Sequence, residues 1–169
     1  MGMSMEEMTW RAARSLAIDM HGSQMYGVWP YSWHLDDVFG ILYNNGLGGN
    51  LLPAAYLHDS LEDTELSHVY LLDNFGLEVY NLVWACTGVG QTRRERNLSI
   101  YNKLVRFPKA KNLKIADRIS NVHSGAKNER LYWPENDEFM VAVEGASPIL
   151  LDMLNDEWRK WHAKKVAGW

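Results

Sequence analysis

The sequence predicts an all-α chain folded as one compact helical domain, and three observations lead there. Apolar residues recur at helical spacing along most of the chain, and clusters of Gly, Pro and Asn separate those runs. No segment shows the two-residue alternation or hairpin signal of a strand.

The elements follow in order. Met8, Ala12, Leu16 and Met20 line one helical face, with Ser4 as N-cap and Gly22 beyond the end. Gly22, Gly27 and Pro30 make 22–32 a loop, in which Trp29 is expected to pack on the core. A second helix is expected from about Ser32 to Asn44, with Val38, Ile41 and Leu42 inward and Asn44-Asn45-Gly46 stopping it. Residues 51–61 are almost continuously apolar, as in a helix buried on most sides. Thr64, or alternatively Ser67, caps a helix that Phe75-Gly76 closes. Another spans 77–87 and ends at Gly88-Val89-Gly90. Residues 91–97 read as a polar loop before a helix near 98–106. Pro108 opens the next, running through Asp117 to about Lys127, and Ala146-Ser147-Pro148 starts a last helix ending near Lys165.

Composition narrows the function classes. The 169 residues are 47% hydrophobic, enough for a sizeable core in a single domain spanning 1–169. A net charge of −4 and a pI near 5.8 argue against a protein that grips nucleic-acid backbone. Cys86 is the only cysteine, which excludes an internal disulfide and a cysteine-rich zinc module and suits a reducing cytoplasm. Glu6 and Glu7 stand where a secretory signal would carry basic residues, and no apolar run approaches the ~18 residues needed to span a bilayer. The expectation is a soluble cytoplasmic protein without a membrane partner.

Four residues carry metal-ligand chemistry: His34, the adjacent His58-Asp59, and Asp117. Imidazole nitrogens and carboxylate oxygens bind divalent cations such as Mn²⁺, Fe²⁺, Co²⁺ or Zn²⁺. Successive helical residues point roughly 100° apart, so His58 and Asp59 can flank one ion only if other helices complete the shell. Asp59 stands among Ala54, Ala55, Tyr56, Leu57 and Leu61, where an unpaired charge would cost several kcal/mol. A metal solves that problem; so would a buried arginine or a helix cap, and the pair alone does not choose between them.

Glu62 and Asp63 lie four residues after His58 and Asp59, one turn further along neighbouring faces. Beside a metal, two carboxylates can orient a water, take its proton and return it to a leaving oxygen. As mere solvated charges they would oppose the dipole at a helix C-terminus. Lys114 and Arg118 share a face that continues through Asn121 and Ser124, a stripe that suits phosphate or ribose oxygens and equally an ordinary solvated face. Arg93, Arg94 and Arg96 form a second positive cluster, read as a loop that either lids an anionic substrate or is simply solvated.

Together and in this order, the pieces resemble the HD-domain hydrolases, and more narrowly the hydrolase domain of RelA/SpoT enzymes and the small alarmone hydrolases. The matching text is His21-Gly22, Pro30-Tyr31-Ser32-Trp33-His34, Leu57-His58-Asp59-Ser60-Leu61-Glu62-Asp63-Thr64, Phe75-Gly76 and Leu113-Lys114-Ile115-Ala116-Asp117-Arg118-Ile119-Ser120-Asn121. The resemblance implies a helical domain with its metal-site core at about 10–125 and a C-terminal helical extension at about 134–165. It implies one divalent ion, Mn²⁺ above all, on His34, His58, Asp59 and Asp117, with Glu62 and Asp63 activating water. Asn121 and Ser124 match positions that contact the nucleoside, with Lys114 and Arg118 beside the site. The implied reaction removes the 3′-pyrophosphate from ppGpp and pppGpp, leaving GDP or GTP.

One departure bears on substrate. The long enzymes carry a basic pair before the first metal histidine, where this chain reads Gln24-Met25-Tyr26-Gly27-Val28-Trp29, leaving Tyr26 or Trp29 to stack on a base. A related phosphohydrolase of another nucleotide, a nucleoside phosphate or the 2′-phosphate of NADPH, is therefore the alternative. A nucleotide-binding module without turnover is a third reading, which the acidic pair opposes. Trp158, Trp161 and Trp169 are expected to serve packing or a homo-oligomer surface.

Overall fold

In a computed structural model of the chain, the described residues are 4–124 and 130–167. Helix α1 (Met5–His21) opens on Ser4, whose side chain accepts the Glu7 N–H, and stops at Gly22, whose φ of 54° favours a residue without Cβ. The expected loop then forms a minimal antiparallel pair, β1 (Met25–Tyr26) with β2 (Trp29–Pro30). Two residues per strand are too few for an alternation signal, so the all-helical expectation missed this ladder. Trp29 is 56% exposed there and does not pack on the core as expected.

Helix α2 (Tyr31–Asn44) is followed by α3 (Leu51–Leu57), and every residue of α3 is buried. The apolar run to Leu61 is not one helix. It is interrupted at His58-Asp59 and resumes as the short α4 (Ser60–Asp63). Ser67, the alternative cap, accepts from Tyr70 N–H and starts α5 (His68–Cys86), which breaks at Gly76 with φ 81° and ψ 170°. That break divides the helix where Phe75-Gly76 predicts a stop.

The polar stretch after Gly90 is largely helical. Thr92 and Glu95 form a capping box, and α6 (Arg93–Arg106) begins five residues before the expected start near Leu98. Helix α7 (Ala110–His123) ends at Ser124, so the expected extension to Lys127 falls on residues outside those described. A 3₁₀ turn (Trp133–Glu135) leads into α8 (Asn136–Ala142), and α9 (Pro148–Val166) closes the described chain.

The core sits where α3 packs against α1, α2 and α5, with α7 crossing both α2 and α9. Leu57, Leu71, Leu104, Leu113 and Phe139 are fully buried within it. Truncating Leu57 or Leu113 to Ala would cost about 2–5 kcal/mol. Trp158 is buried and donates its indole N–H to Asn136 Oδ1, which makes it a packing residue; Trp169 lies outside the described residues. No described helix is long and apolar enough to cross a membrane.

Candidate metal centre and active site

Helices α2, α3 and α7 converge at their polar positions. His34 stands in the first turns of α2, His58 and Asp59 at the joint after α3, and Asp117 midway along α7. His34 and His58 are each 1% exposed. Their Nε2 atoms are 3.3 Å apart. Asp59 Oδ2 lies 3.0 Å from His58 Nε2 and 3.7 Å from His34 Nε2. Asp117 Oδ1 lies 3.4 and 3.6 Å from the nitrogens of His34 and His58. Ligand atoms about 2.1 Å from one cation stand about 3.0–3.5 Å apart in octahedral or tetrahedral geometry. The spacing of His34, His58 and Asp59 suits a shared ion, and Asp117 stands beside the two imidazoles.

Hydrogen bonding turns the rings toward that point. His58 Nδ1 meets the Ala55 carbonyl at 2.8 Å. A carbonyl only accepts, so Nδ1 carries the proton and Nε2 presents its lone pair. His34 Nδ1 is engaged by Ser120 Oγ at 2.9 Å. The His58 lone pair and the carboxylate oxygens thus crowd one volume, an arrangement that calls for positive charge, either protons on the rings or a cation. The pKa shifts express the same demand. Burial lowers both histidines, yet the two carboxylates win and raise them, His58 to about 10. Asp59 and Asp117 resist their burial and are held well below the ordinary carboxylate range by the neighbouring cationic groups. The donor set fits a divalent cation.

Surrounding groups fix the carboxylates. Tyr31 donates its hydroxyl to Asp59 Oδ2, Lys114 Nζ donates to Asp117 Oδ2 at 2.7 Å, and Asn121 Nδ2 donates to Asp117 Oδ1 at 2.5 Å. Glu62 and Asp63 line the same cleft. Despite the interruption, Asp63 N–H still bonds Asp59 O at 2.9 Å, so the one-turn relation survives. Glu62 Oε2 accepts the Gly88 N–H at 2.7 Å, and Arg96 Nε lies 3.6 Å from its Oε1. Burial and the Asp59 charge push Asp63 upward.

The expected substrate contacts separate. Lys114, Arg118, Asn121 and Arg93 line the cleft, joined by Arg96 and Asn97. Arg118 is 3% exposed and lies over the Tyr132 and Phe139 rings, with Glu135 3.7 Å away. Arg93 makes a two-pronged pair with Glu135 at 2.5 and 2.9 Å. Arg94 is not brought to the site: it points to solvent from α6, because the arginines occupy a helix rather than a loop. Ser124 is exposed and donates to Ser120 O, outside the cleft lining. Tyr26 stacks on His34, centroids 4.7 Å apart, and donates to Asn121 Oδ1 at 2.9 Å.

Sequence reasoning missed Tyr31, Ser120, Tyr132 and Glu135 as parts of this cleft and its supports. Tyr31 and Ser120 stand inside the quoted motifs, but no spacing rule assigns a hydroxyl to a particular ligand. Glu135 lies beyond the motif region and reaches the site only through tertiary packing.

No family model matches the chain. It is 32% identical over 116 residues to the guanosine-3′,5′-bis(diphosphate) 3′-pyrophosphohydrolase of Aquifex aeolicus (strain VF5), covering 65% of this chain and 17% of that protein. It is 32% identical over 105 residues to a probable GTP pyrophosphokinase of Mycobacterium leprae (strain TN), covering 56% and 13%. A probable chloroplastic GTP diphosphokinase of Arabidopsis thaliana is 27% identical over 103 residues, covering 55% and 14%. The chain therefore spans a small part of the length of these curated relatives. Among solved structures it superposes on a metazoan orthologue of SpoT, described as hydrolysing ppGpp, with a TM-score of 0.79 and 23% identity over 90% of this chain and 94% of the other. That likeness establishes the fold.

Proposed function

We propose, on the premise that this chain is an HD-type domain of the RelA/SpoT hydrolase kind, that it removes the 3′-pyrophosphate of ppGpp and pppGpp to give GDP or GTP. The observation that carries this reading is the convergence of two imidazole nitrogens and two carboxylates beside Glu62 and Asp63 in one cleft. The first named relative supports the substrate.

In this reading His34, His58, Asp59 and Asp117 would hold one divalent ion, Mn²⁺ on the resemblance to the RelA/SpoT hydrolase domains, and their nitrogen and oxygen donors suit such an ion. When bound, the ion supplies positive charge at the phosphate and acidity to a water. Asp63 and Glu62 both line the cleft where they can hold and pass a proton, and Glu62 is anchored by Gly88 N–H. Water oxygen attacks the phosphorus next to O3′, the P–O3′ bond breaks with O3′ as leaving oxygen, and the phosphorus departs in pyrophosphate carrying the water oxygen. The carboxylates take the water proton and return one to O3′. Lys114, Arg118 and Arg93 line the wall that faces the anion. Asn121 lines the cleft and would face the nucleoside, with Tyr26 bonded to it from outside the lining.

The second reading, hydrolysis of a less charged nucleotide, rests on pairing. Arg93 and Arg118 share Glu135, and Lys114 is held by Asp117, so the wall offers less uncompensated charge than its residue count suggests. Purified chain with Mn²⁺ and a panel of ppGpp, nucleoside monophosphates and NADPH separates the two. GDP and pyrophosphate formed fastest from ppGpp support the first; no turnover of ppGpp with any divalent metal sinks it. We place the enzyme in the cytoplasm, where the buried free Cys86 stays reduced.

A further inference from the structure

The Thr87-Gly88 peptide stands between two opposite charges. Its N–H, on Gly88, donates to Glu62 Oε2 at 2.7 Å. Its carbonyl, on Thr87, accepts from Lys103 Nζ. In a trans peptide these two groups point in opposite directions along one dipole, so an ammonium at the oxygen and a carboxylate at the N–H polarise it in the same sense.

Three features hold the unit in place. Thr87 Oγ1 and N–H both bond the Val83 carbonyl, at 2.9 and 3.1 Å. Lys103 Nζ rests 3.9 Å from the centre of the Trp84 ring, so a cation–π contact fixes the ammonium as well. A Cβ on Gly88 would lie 2.7 Å from Arg96 Cβ, so the stem of Arg96 occupies the room that any side chain there would need. Burial lowers the Lys103 pKa, and the Glu62 charge opposes that shift.

We infer that Lys103 is a positioning residue for Glu62, acting through the Thr87-Gly88 peptide: it fixes the peptide plane and strengthens the N–H that sets the carboxylate's direction in the cleft. The kinetic consequence rests on the role proposed above for Glu62; the structural relay does not. Lys103 is not among the residues that line the cleft.

The test uses the full chain with Mn²⁺ present. Hydrogen–deuterium exchange at the Gly88 amide is read by mass spectrometry with electron-transfer fragmentation. Lys103→Met keeps an apolar stem under Trp84 and should speed exchange at Gly88 about tenfold, with Lys103→Arg restoring most of the protection. In Glu62→Ala the amide should already exchange fast, and adding Lys103→Met should change nothing more, a non-additivity that general loosening would not produce. With ppGpp as the probe, Lys103→Met should lower kcat about tenfold with KM within about a factor of two, and metal content unchanged.

Wild-type exchange at Gly88 in Lys103→Met would overturn the relay. So would equal acceleration in the Glu62→Ala background. If Glu62→Ala turns over ppGpp like the wild type, the catalytic reading of Glu62 falls, and the exchange arm still decides the relay by itself. Should Lys103→Met melt far below the wild type, Lys103→Gln, which removes the charge and keeps a polar stem, gives the same exchange readout. Wild-type protection at Gly88 in a folded Lys103→Gln would overturn the relay.

Discussion

Tyr31 joins the metal-site cluster through a 2.5 Å hydrogen bond from its hydroxyl to Asp59 Oδ2, while its ring stacks on His21 at 4.3 Å. Burial and the Asp59 charge hold the phenol above its ordinary value, so it stays a donor at any working pH. Tyr31→Phe should keep the ring packing and release one carboxylate oxygen. Mn²⁺ affinity should fall about 10–100-fold by titration calorimetry. Unaltered affinity would mean that the hydroxyl does not orient Asp59.

Removing a proposed ligand should affect metal content and stability together. His58→Ala and Asp59→Ala are expected to lose bound Mn²⁺ by elemental analysis and to lose the rise in Tm that metal gives the wild type. A ligand at about 100 times its Kd stabilises by about 2.7 kcal/mol, which sets the scale of that rise. A full complement of metal in either variant would remove that residue from the ligand set.

The metal-free chain should lose stability in alkali. Both histidines are raised, His58 to about 10 from an ordinary 6.5, because the adjoining carboxylates outweigh burial. Their stabilisation is complete below pH 6.5 and is lost as pH climbs toward the folded value. Asp59 and Asp117 are lowered, so their contribution is complete above about 3.8 and disappears only as pH falls through their folded values. Urea midpoints should therefore drop from about pH 6.5 to about pH 10 without metal. Mn²⁺ takes the place of the protons, so its binding should release protons near neutrality, measurable by calorimetry in buffers of different ionisation enthalpy. Flat midpoints across that interval, or binding without proton release, would contradict the charge balance described here.

Lys114 and Asp117 are 15% and 9% exposed in their side chains and 2.7 Å apart. Lys114→Met leaves Asp117 Oδ2 without its cation while Asn121 and the two imidazoles still hold Oδ1, and should cost about 1–3 kcal/mol in the metal-free protein. Urea unfolding measures it. A loss under about 1 kcal/mol would show that Asp117 finds another partner.

The two neighbouring arginines on α6 should behave differently. Arg93→Ala removes a cation from the cleft wall and should raise KM for ppGpp about tenfold, whereas Arg94→Ala should leave kinetics near wild type. Equal effects would return the cluster to the status of a mobile cationic lid.

Much of this was legible before any coordinates. Ser4 and Gly22 bracket α1 as their residue types require, and Phe75-Gly76 marks a break that the positive φ of Gly76 makes real. His34, His58, Asp59 and Asp117 do come together, as buried imidazoles and carboxylates need polar partners. Residues 91–97 carry a helix signal of their own: Thr92-Arg93-Arg94-Glu95 is a capping-box sequence, and a helix start there turns Arg94 away from Arg93. Other features had no local signature. Glu135 binds Arg93 from 42 residues away, and the Lys103 contact with the Thr87 carbonyl depends on how α6 lies against α5.

The joint at His58-Asp59 also decides where the chain can tolerate a change of length. One residue inserted between Asp59 and Ser60 would swing Glu62 and Asp63 about 100° around the axis while leaving α3 seated. The tip between β1 and β2, at Gly27-Val28, holds exposed residues and can lengthen without disturbing that phase. Insertions should thus be accepted at the hairpin tip and lethal to chemistry at the joint, even where the mutant still folds.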